Sequence, residues 1–212
     1  MKEHLYTFVD AYRRHLSVAA YVVVGCVVVM VLCVGVVYYI RVPKVYAPAP
    51  EVSAKSTTTP VVHLAPSRPV RLIIPKLKID APFETLDLNA DKTVGVPKEY
   101  TTVGWYSGSK TPGEIGPSVV LGHVDSYKGP AVFFFLGRLD KGDRFTIHRE
   151  DGSDATFEVD LLERYPQSDF PTEKVYGPID FAGIRLITCS GKYDHATKRY
   201  SNNLVVYGHL VI

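Results

Sequence analysis

Cysteine is scarce in this sequence, and its scarcity excludes two kinds of site. Only Cys26, Cys33 and Cys189 occur among the 212 residues. Because Cys26 and Cys33 lie inside a long apolar run, neither is a plausible disulfide partner for Cys189, and a disulfide framework is excluded. Paired ligands at the spacing of a structural zinc site are also lacking. An unpaired thiol in an exported domain is exposed to oxidation, so Cys189 requires a functional explanation.

A surplus of either charge is lacking as well. The chain carries 24 basic and 22 acidic residues, for a net charge of +2. From Arg68 onward there are 18 lysines and arginines against 19 acidic residues, so the basic surplus lies before that point. Nucleic-acid-binding proteins concentrate positive charge on one face. We therefore expect no nucleic-acid partner.

The first part of the chain is dominated by an uncharged apolar run from Val18 to Ile40. At about 1.5 Å of rise per residue, a helix of this length spans the roughly 30 Å of a bilayer core. The apolar region of a cleaved signal peptide is shorter, about 7–15 residues, so we interpret 17–40 as a retained transmembrane signal anchor. Cleavage near the small residues 47–49 is the alternative. Two arginines before the run favour a short cytoplasmic N-terminus, 1–16, and an exported C-terminal domain.

Residues 41–69 differ in composition from the regions on either side. They are rich in Pro, Ala, Ser, Thr and Val and have no sustained periodicity, which predicts an extended tether. Such a tether would hold the next domain off the membrane and within reach of the cell wall. The remaining residues, 70–212, are enough for one hydrophobic core.

Short β-branched and aromatic runs separated by turn residues predict that 70–212 is an all-β domain, either a closed barrel or a sandwich. Only Val132–Leu139 and parts of Ser168–Tyr176 have a helical pattern, and both are short. The predicted strands are Val70–Ile74, Pro82–Leu86, Ser118–Val124, Arg144–Arg149, Ala155–Arg164, Ile184–Thr188 and Asn203–Val211.

Three residues of this domain carry groups suited to thiol chemistry. Cys189 ends an apolar, strand-like segment, and Ser190 and Gly191 after it would present its sulfur at the rim of the domain. The thiolate is the nucleophilic form of cysteine, so a nearby base or cation is needed. His123 ends an apolar strand, after a glycine that leaves space beside it, and an imidazole there can donate and accept protons. Arg199 offers several donors to a thiolate or a developing oxyanion.

Each of these residues also has an ordinary structural interpretation, because cysteine is often an inert core residue and single histidines and arginines are common at strand ends and surfaces. Asp125 could orient the ring of His123, or it could cap the turn at 126–129, which we prefer. Trp105 and the run Phe133–Phe135 are interpreted as core. We expect no metal and no cofactor.

Several ordered segments together resemble the sortases, the membrane-anchored cysteine transpeptidases of Gram-positive bacteria. The similarity extends over roughly Val70 to Ile212. The sequence around His123 and Cys189 is most similar to that of class F sortases or a closely related actinobacterial subgroup. The segments that carry the resemblance are Ile74–Pro82, Val103–Tyr106, Pro112–Gly116, Leu121–Asp125 and Leu186–Cys189.

The resemblance implies an eight-stranded β-barrel with Cys189 as nucleophile and His123 as general acid and base. Arg199 would be the arginine that stabilises the oxyanion, although four residues separate it from the apolar part of the last strand. Ser201 or Asn203 could donate the hydrogen bond in its place. The loop before the cysteine strand, roughly 165–183, would help to close the substrate groove.

The function implied by this resemblance is cleavage of an LPXTG-like sorting signal and transfer of the protein to an amine of a peptidoglycan precursor. The enzyme would be a single-pass protein of the cell membrane with its catalytic domain outside. Papain-like wall peptidases are disfavoured because their cysteine precedes their histidine, and L,D-transpeptidases because their Ser-His-Gly-Cys type motif is absent. Another thiol-dependent wall enzyme, or a non-enzymatic membrane-tethered β-domain, remains an alternative.

Overall fold

The structure, a computed structural model, describes residues 29, 30, 32 and 62–211. The predicted N-terminal segment 1–16, nearly all of the predicted anchor 17–40 and most of the predicted tether 41–69 lie outside the described residues. Within the described part of the chain, no helix is long and apolar enough to cross a membrane.

Residues 69–211 form ten strands and one short helix, joined by turns and three single 3-10 turns. The strands are β1 (Pro69–Ile74), β2 (Ile79–Leu86), β3 (Val103–Tyr106), β4 (Gly116–Leu121), β5 (Asp125–Ser126), β6 (Gly129–Pro130), β7 (Arg144–Arg149), β8 (Asp154–Pro166), β9 (Ala182–Asp194) and β10 (Arg199–Val211). The helix α1 is Thr172–Tyr176, and the 3-10 turns are Pro75–Leu77, Leu136–Arg138 and Gln167–Asp169.

Eight of the strands close into a barrel in the order β1-β2-β3-β4-β9-β10-β8-β7, which confirms the predicted eight-stranded barrel. Two neighbouring pairs, β2 with β3 and β4 with β9, run parallel, and the other pairs are antiparallel. The strands β5 and β6 form a separate two-stranded ribbon after β4. Because parallel strands need a long connection, β4 and β9 are far apart in the sequence although they are hydrogen-bonded neighbours.

The predicted strand Arg144–Arg149 has the observed bounds of β7, but other predictions need correction. The strand predicted over Ile184–Thr188 extends from Ala182 to Asp194, because β9 and β10 form a long hairpin. Of the predicted helical segment Val132–Leu139, only Leu136–Arg138 is helical, as one 3-10 turn. The four-residue strand β3 was not predicted as a strand, since so short a run gives little periodicity.

The barrel interior is filled by side chains from alternate strand positions, as the two-residue period of a strand requires. Phe145 and Phe157 stack there with ring centroids 5.7 Å apart, and both are buried. Ile184 and Leu186 on β9 belong to the same core. Trp105 and Phe133 are buried as predicted, whereas Phe134 and Phe135 are exposed. Burial of one such side chain stabilises the fold by roughly 1.5–3 kcal/mol.

A second apolar layer covers the outer face of β4, β9 and β10. Val175 and Tyr176 of α1 pack there with Ile187, which points away from the barrel interior. Arg185 is also buried on this face, with its guanidinium carbon 4.6 Å from the centroid of the Tyr207 ring. The segment between β8 and β9 is therefore packed on the barrel wall, and it covers part of the surface that carries Cys189.

The described end of the predicted tether also packs on the barrel. The backbone N–H of Leu64 donates to the carbonyl oxygen of Gly113 at 2.7 Å, and the Leu64 side chain packs against the core. The buried side chain of Arg149 donates from Nη2 to the carbonyl oxygen of Ala65. Residues from about 62 onward thus belong structurally to the barrel.

Candidate active site

Cys189 lies on β9, on the same outward-facing side as Ile187, and is half-buried. It is a free cysteine and is paired in register with Asn203 on β10. Beyond Cys189, the backbone of Gly191 has φ 83°, and the β9–β10 register shifts between Tyr200 and Asn202. Cys189 is therefore held in the middle of a paired strand rather than at a strand end.

His123 lies two residues beyond β4, because that strand ends at Leu121 and not at the predicted Val124. Because Leu121 is the parallel partner of Ile187, the chain after β4 emerges beside the part of β9 that carries Cys189. A Cβ atom on Gly122 would lie 2.5 Å from the ring of Phe133, so the glycine is required by the close approach of that ring. The space that the glycine leaves is taken by the Phe133 ring and not by the imidazole of His123.

The orientation of the His123 ring follows from its hydrogen bond. Nε2 lies 2.8 Å from the carbonyl oxygen of Pro97. Since a carbonyl oxygen can only accept, Nε2 carries the hydrogen and Nδ1 of the neutral ring has the free lone pair. The ring of Tyr100 packs against the imidazole with a centroid distance of 4.8 Å. His123 is thus positioned from the loop before β3, with Nδ1 left for proton transfer.

Cys189 and His123 line one cavity of about 250 Å³, as their sequence motifs predict. The segment before β9 contributes Phe170 and Tyr176 to the lining, which agrees with the groove-closing role expected of the loop 165–183. The other lining residues are Thr93, Val94, Val96, Pro97, Leu121, Gly122, Ile187, Thr188 and Asn203.

The cavity does not favour the thiolate in the free protein. Burial raises the pKa of the Cys189 thiol, and the negative charge of Asp125 raises it further. The pKa of Tyr176 is raised to about 12, chiefly by burial. A base must therefore remove the thiol proton during the reaction, and His123 lines the same cavity.

The side-chain hydrogen bond that the structure shows for Asp125 involves neither the His123 ring nor the turn at 126–129. Its Oδ2 accepts a hydrogen bond from the hydroxyl of Tyr200 on β10. The turn after Asp125 is capped instead by Ser126, whose Oγ accepts from the N–H of Lys128 at 3.1 Å and donates to the carbonyl oxygen of Gly129 at 3.2 Å. Burial and the bond to Asp125 raise the pKa of Tyr200 to about 12, so the phenol stays a donor.

Two amide side chains near the sulfur complete the polar part of the site. Gln167 Nε2 donates to Asn203 Oδ1 at 3.1 Å and lies 3.9 Å from Cys189 Sγ. Since Oδ1 of Asn203 is occupied by this bond, its Nδ2 is left as a donor. The sequence names Asn203 as an alternative to the arginine, but it contains no signal for Gln167, which reaches the site from a 3-10 turn.

Arg199 stands apart from this cavity. It is exposed at the start of β10 and is paired with Asp194, near the turn of the β9–β10 hairpin. Ser201 Oγ is used within the hairpin, accepting from the N–H of Lys192 at 3.0 Å. The structure thus brings Cys189 and His123 together with Asn203, and it does not bring Arg199 into the cavity lining. The role of Arg199 stays a prediction.

No set of three or more histidine, cysteine, aspartate or glutamate side chains in the described part of the chain is arranged to hold a metal ion.

A closed β-barrel that presents a cysteine on one strand, with a histidine just beyond the parallel neighbouring strand, defines a cysteine transpeptidase. Residues 72–211 match the sortase domain family, and the chain belongs to the sortase family. No curated protein matches the chain significantly.

Solved sortase structures share the fold at low sequence identity. Streptococcus agalactiae sortase C1, in its complex with MTSET, is 22% identical over 68% of this chain and 70% of its own, with a TM-score of 0.52. Sortase C-1 from Actinomyces oris is 24% identical over 68% of this chain and 73% of its own, with a TM-score of 0.51. Sortase A from Corynebacterium diphtheriae is 22% identical over 70% of this chain and 63% of its own, with a TM-score of 0.51. The likeness to these structures is one of fold.

Proposed function

We propose that this sortase cleaves an LPXTG-like sorting signal through a thioacyl-enzyme on Cys189 and transfers the acyl group to an amine of a peptidoglycan precursor. The observation that carries the proposal is the shared cavity of Cys189 and His123 beneath the segment before β9. A nucleophile and a base in one small, partly covered cavity are what covalent acyl transfer requires.

Acylation begins with the neutral thiol, which the raised pKa of Cys189 makes the dominant form. The thiol proton passes to Nδ1 of His123 while the sulfur attacks the carbonyl carbon of the threonine in the signal. The imidazolium then protonates the leaving glycine amine as the C–N bond breaks. The thioacyl-enzyme is left with a neutral histidine, which is ready to act as a base.

The oxyanion of this step needs a donor. Gln167 is supported by its position 3.9 Å from the sulfur, and Asn203 by its place opposite Cys189 in the cavity lining. Arg199 is supported by the family resemblance. One such donor typically contributes a factor of about 10²–10³ to the rate.

The apolar lining of the cavity supports the substrate class. Val94, Val96 and Phe170 offer surface to an aliphatic or proline side chain, as the first two residues of an LPXTG-like signal would supply. The lining contains no lysine, arginine, aspartate or glutamate, so a signal that is uncharged near the scissile bond suits it.

A fluorogenic peptide library that spans LPXTG variants tests this proposal, with and without an amine acceptor, and with Cys189→Ala as the control. We expect cleavage between Thr and Gly and, by mass spectrometry, an amide product when the amine is present. Turnover that persists in Cys189→Ala, or cleavage that never yields an amide, would contradict the proposal.

The proposed location is the outer face of the cell membrane, with 17–40 as the anchor. The full chain should then fractionate with membranes and resist extraction by high salt, and protease added to intact cells should reach the barrel. A mature protein that begins after residue 49 would show instead that the segment is cleaved.

A further inference from the structure

A second cavity, of about 550 Å³, is more than twice as large as the cavity of Cys189 and His123. Its walls come from the turn between β1 and β2, the loop before β3, the β5–β6 ribbon and the segment that follows the ribbon. Ligand sites commonly have volumes of about 300–1,000 Å³, with apolar walls and a few polar groups. The larger cavity therefore has the size of a ligand site, and the proposed acylation makes no use of it.

The ring of Tyr100 connects the two cavities. Tyr100 lines the larger cavity, and its ring centroid is 4.8 Å from that of His123, which lines the smaller one. Two backbone hydrogen bonds of 2.9 Å hold these segments together, from the N–H of Val132 to the carbonyl oxygen of Tyr100 and from the N–H of Phe133 to that of His123. A ligand in the larger cavity would thus lie against a side chain that touches the proposed base.

Most charged groups of the larger cavity have no ion-pair partner in the protein. Lys78 and Lys128 are exposed lining residues, and no carboxylate of the described chain forms an ion pair with either. Glu99, another exposed lining residue, likewise has no cationic partner among the described residues. Asp80 is paired with Arg71, whose Nη2 lies 2.8 Å from Oδ2. Charges of both signs are therefore left to attract a ligand.

Exposed aromatic rings border the same cavity. Phe135 lines it and is exposed, and Tyr127, which is 83% exposed, contacts Tyr100 edge-on with ring centroids 6.4 Å apart. Nζ of Lys128 lies 5.4 Å from the centroid of the Tyr127 ring. Exposed apolar side chains that are grouped in this way mark binding surfaces. The ligand that suits the cavity is therefore larger than an ion and has both apolar and charged parts.

The second half of the proposed reaction requires a binding site of its own. While the thioacyl-enzyme exists, the smaller cavity holds the acyl part of the sorting signal, and its volume of about 250 Å³ leaves little room for a second peptide. The acceptor must still bring its amine to the thioester near His123. Because an extended peptide spans about 3.3–3.6 Å per residue, an acceptor of a few residues can lie in the larger cavity and reach past Tyr100.

We infer that the larger cavity binds the acceptor, as a short peptide that carries both an amine and carboxylates. Lys78 and Lys128 bind a carboxylate of the acceptor, Glu99 attracts its ammonium group, and the amine passes Tyr100 to reach His123. This inference rests on the proposed function and adds the binding site and the chemical class of the second substrate.

The transfer balances with the groups present. The ammonium group loses one proton to solvent, and the resulting amine attacks the thioester carbonyl carbon. A C–N bond forms while Nδ1 of His123 takes a second proton from the nitrogen, and the C–S bond breaks with its electron pair going to sulfur. The imidazolium then returns this proton to the sulfur, which restores the thiol of Cys189 and the neutral histidine.

The test uses a synthetic pentapeptide of the peptidoglycan stem type, with one lysine side-chain amine, in two forms. The carboxylates are free in one form and amidated in the other. Hydroxylamine, which is small and uncharged at neutral pH, is the acceptor that needs no binding site. We expect the wild-type protein to prefer the free form by about tenfold in kcat/KM, the size expected for partly screened charge pairs. The preference should shrink at high salt.

Two sets of variants separate the two kinds of charge. The double variant Lys78→Gln, Lys128→Gln should lose the preference for free carboxylates. Glu99→Gln should lower kcat/KM about tenfold for both forms, since both carry the ammonium group. Transfer to hydroxylamine should respond to neither change. Lys141→Gln is the matched control, because this lysine before β7 is also exposed and, within the described chain, forms no ion pair.

Binding is measured without turnover as well. When the ¹⁵N-labelled protein is titrated with the free-carboxylate peptide, the backbone amide signals of Thr101 and Val132, two lining residues, should shift. The double lysine variant should need a higher peptide concentration for the same shift. Thermal melting of each variant identifies a folding defect, which we do not expect because the three replaced side chains are exposed.

The outcomes separate the inference from the proposed function. No preference for free carboxylates in the wild-type protein, or an equal loss with the peptides and with hydroxylamine in the variants, overturns the inference and leaves the proposed function standing. A wild-type protein that forms no acyl-enzyme with any sorting peptide overturns the proposed function, and the titration then still decides whether the cavity binds the peptide.

Discussion

Asn203 is the direct partner of Cys189 across the β9–β10 hairpin, and its side-chain oxygen is occupied by Gln167 Nε2 at 3.1 Å. The amide nitrogen of Asn203 is thereby left as a donor on the residue opposite Cys189, and both residues line the cavity. Arg199, four residues earlier on β10, is opposite Asp194 and exposed. The arrangement favours Asn203 over Arg199 as the group that meets an oxyanion.

The two assignments make different predictions. We expect Asn203→Ala to lower kcat/KM by about 10²–10³, the usual effect of losing one oxyanion donor. Arg199→Ala should lower it less, because the side chain is outside the cavity lining. Steady-state kinetics with the best peptide of the library measure both. A collapse of activity in Arg199→Ala with near-normal Asn203→Ala would restore the arginine assignment, and partial rescue by Arg199→Lys would support it.

Replacement of Cys189 by alanine should abolish turnover and leave the barrel folded. The thiol is half-buried and lines a cavity, and alanine removes only its sulfur, so we expect little loss of packing. The melting temperature and the circular dichroism spectrum should match those of the wild-type protein. Turnover without the thiol would refute covalent catalysis at this residue.

The pH dependence of Cys189 follows from its surroundings. Burial first and Asp125 second raise the pKa of the thiol in the folded protein, so its alkylation by iodoacetamide should become half-maximal above the ordinary value of about 8.5. Folding therefore favours the protonated thiol. Its contribution to stability is present below the ordinary pKa and is lost as the pH rises through the folded-state pKa. Urea denaturation of wild type and Cys189→Ala at several pH values should show that difference.

Gly122 should not tolerate a larger residue. A Cβ atom there would meet the Phe133 ring at 2.5 Å, and Phe133 also donates its backbone N–H to the carbonyl oxygen of His123 at 2.9 Å. We expect Gly122→Ala to destabilise the fold by about 1–3 kcal/mol, the usual cost of overpacking, and to lower kcat by displacing His123. Gly137→Ala is the comparison, since its backbone is outside the left-handed region and the atom nearest to its Cβ position is Nη2 at the flexible end of Arg164, 3.1 Å away. Equal behaviour of the two variants would show that the ring can move aside.

The described end of the tether should contribute to stability. A chain that begins at Ser67 lacks the Ala65 carbonyl oxygen that accepts from buried Arg149, and it lacks the packing of Leu64. An unsatisfied buried donor costs about 1–3 kcal/mol, so this chain should unfold at lower urea than one that begins at Val62. Equal midpoints would show that these contacts contribute nothing.

The barrel, and a cysteine and a histidine that meet at one site, could be predicted from the sequence because each depends on a local pattern. Apolar strand-like runs identified most of the strands, and the motifs around His123 and Cys189 identified the two residues that share the cavity. Gln167 and the Asp125–Tyr200 pair could not be found in this way. Their positions depend on how the segment before β9 folds back and on the register of a hairpin, which are set by packing between distant residues.

The position of Arg199 relative to Cys189 could not be predicted from local sequence patterns either. Its spacing from Cys189 in the sequence suits an oxyanion donor, but the distance between two residues of a hairpin depends on where the turn falls. The turn lies between Asp194 and Arg199, and a register shift follows it. These two features together bring Asn203, not Arg199, opposite the cysteine.

The parallel pairing of β4 with β9 also affects the order in which the enzyme folds. His123 and Cys189 are 66 positions apart in the sequence, and this pairing joins the strand that precedes His123 to the strand that carries Cys189. Closing so long a loop is slow compared with forming the hairpin of β9 and β10. We therefore expect the thiol to meet its base late in folding, so that a partly folded chain carries a cysteine without the partner that activates it.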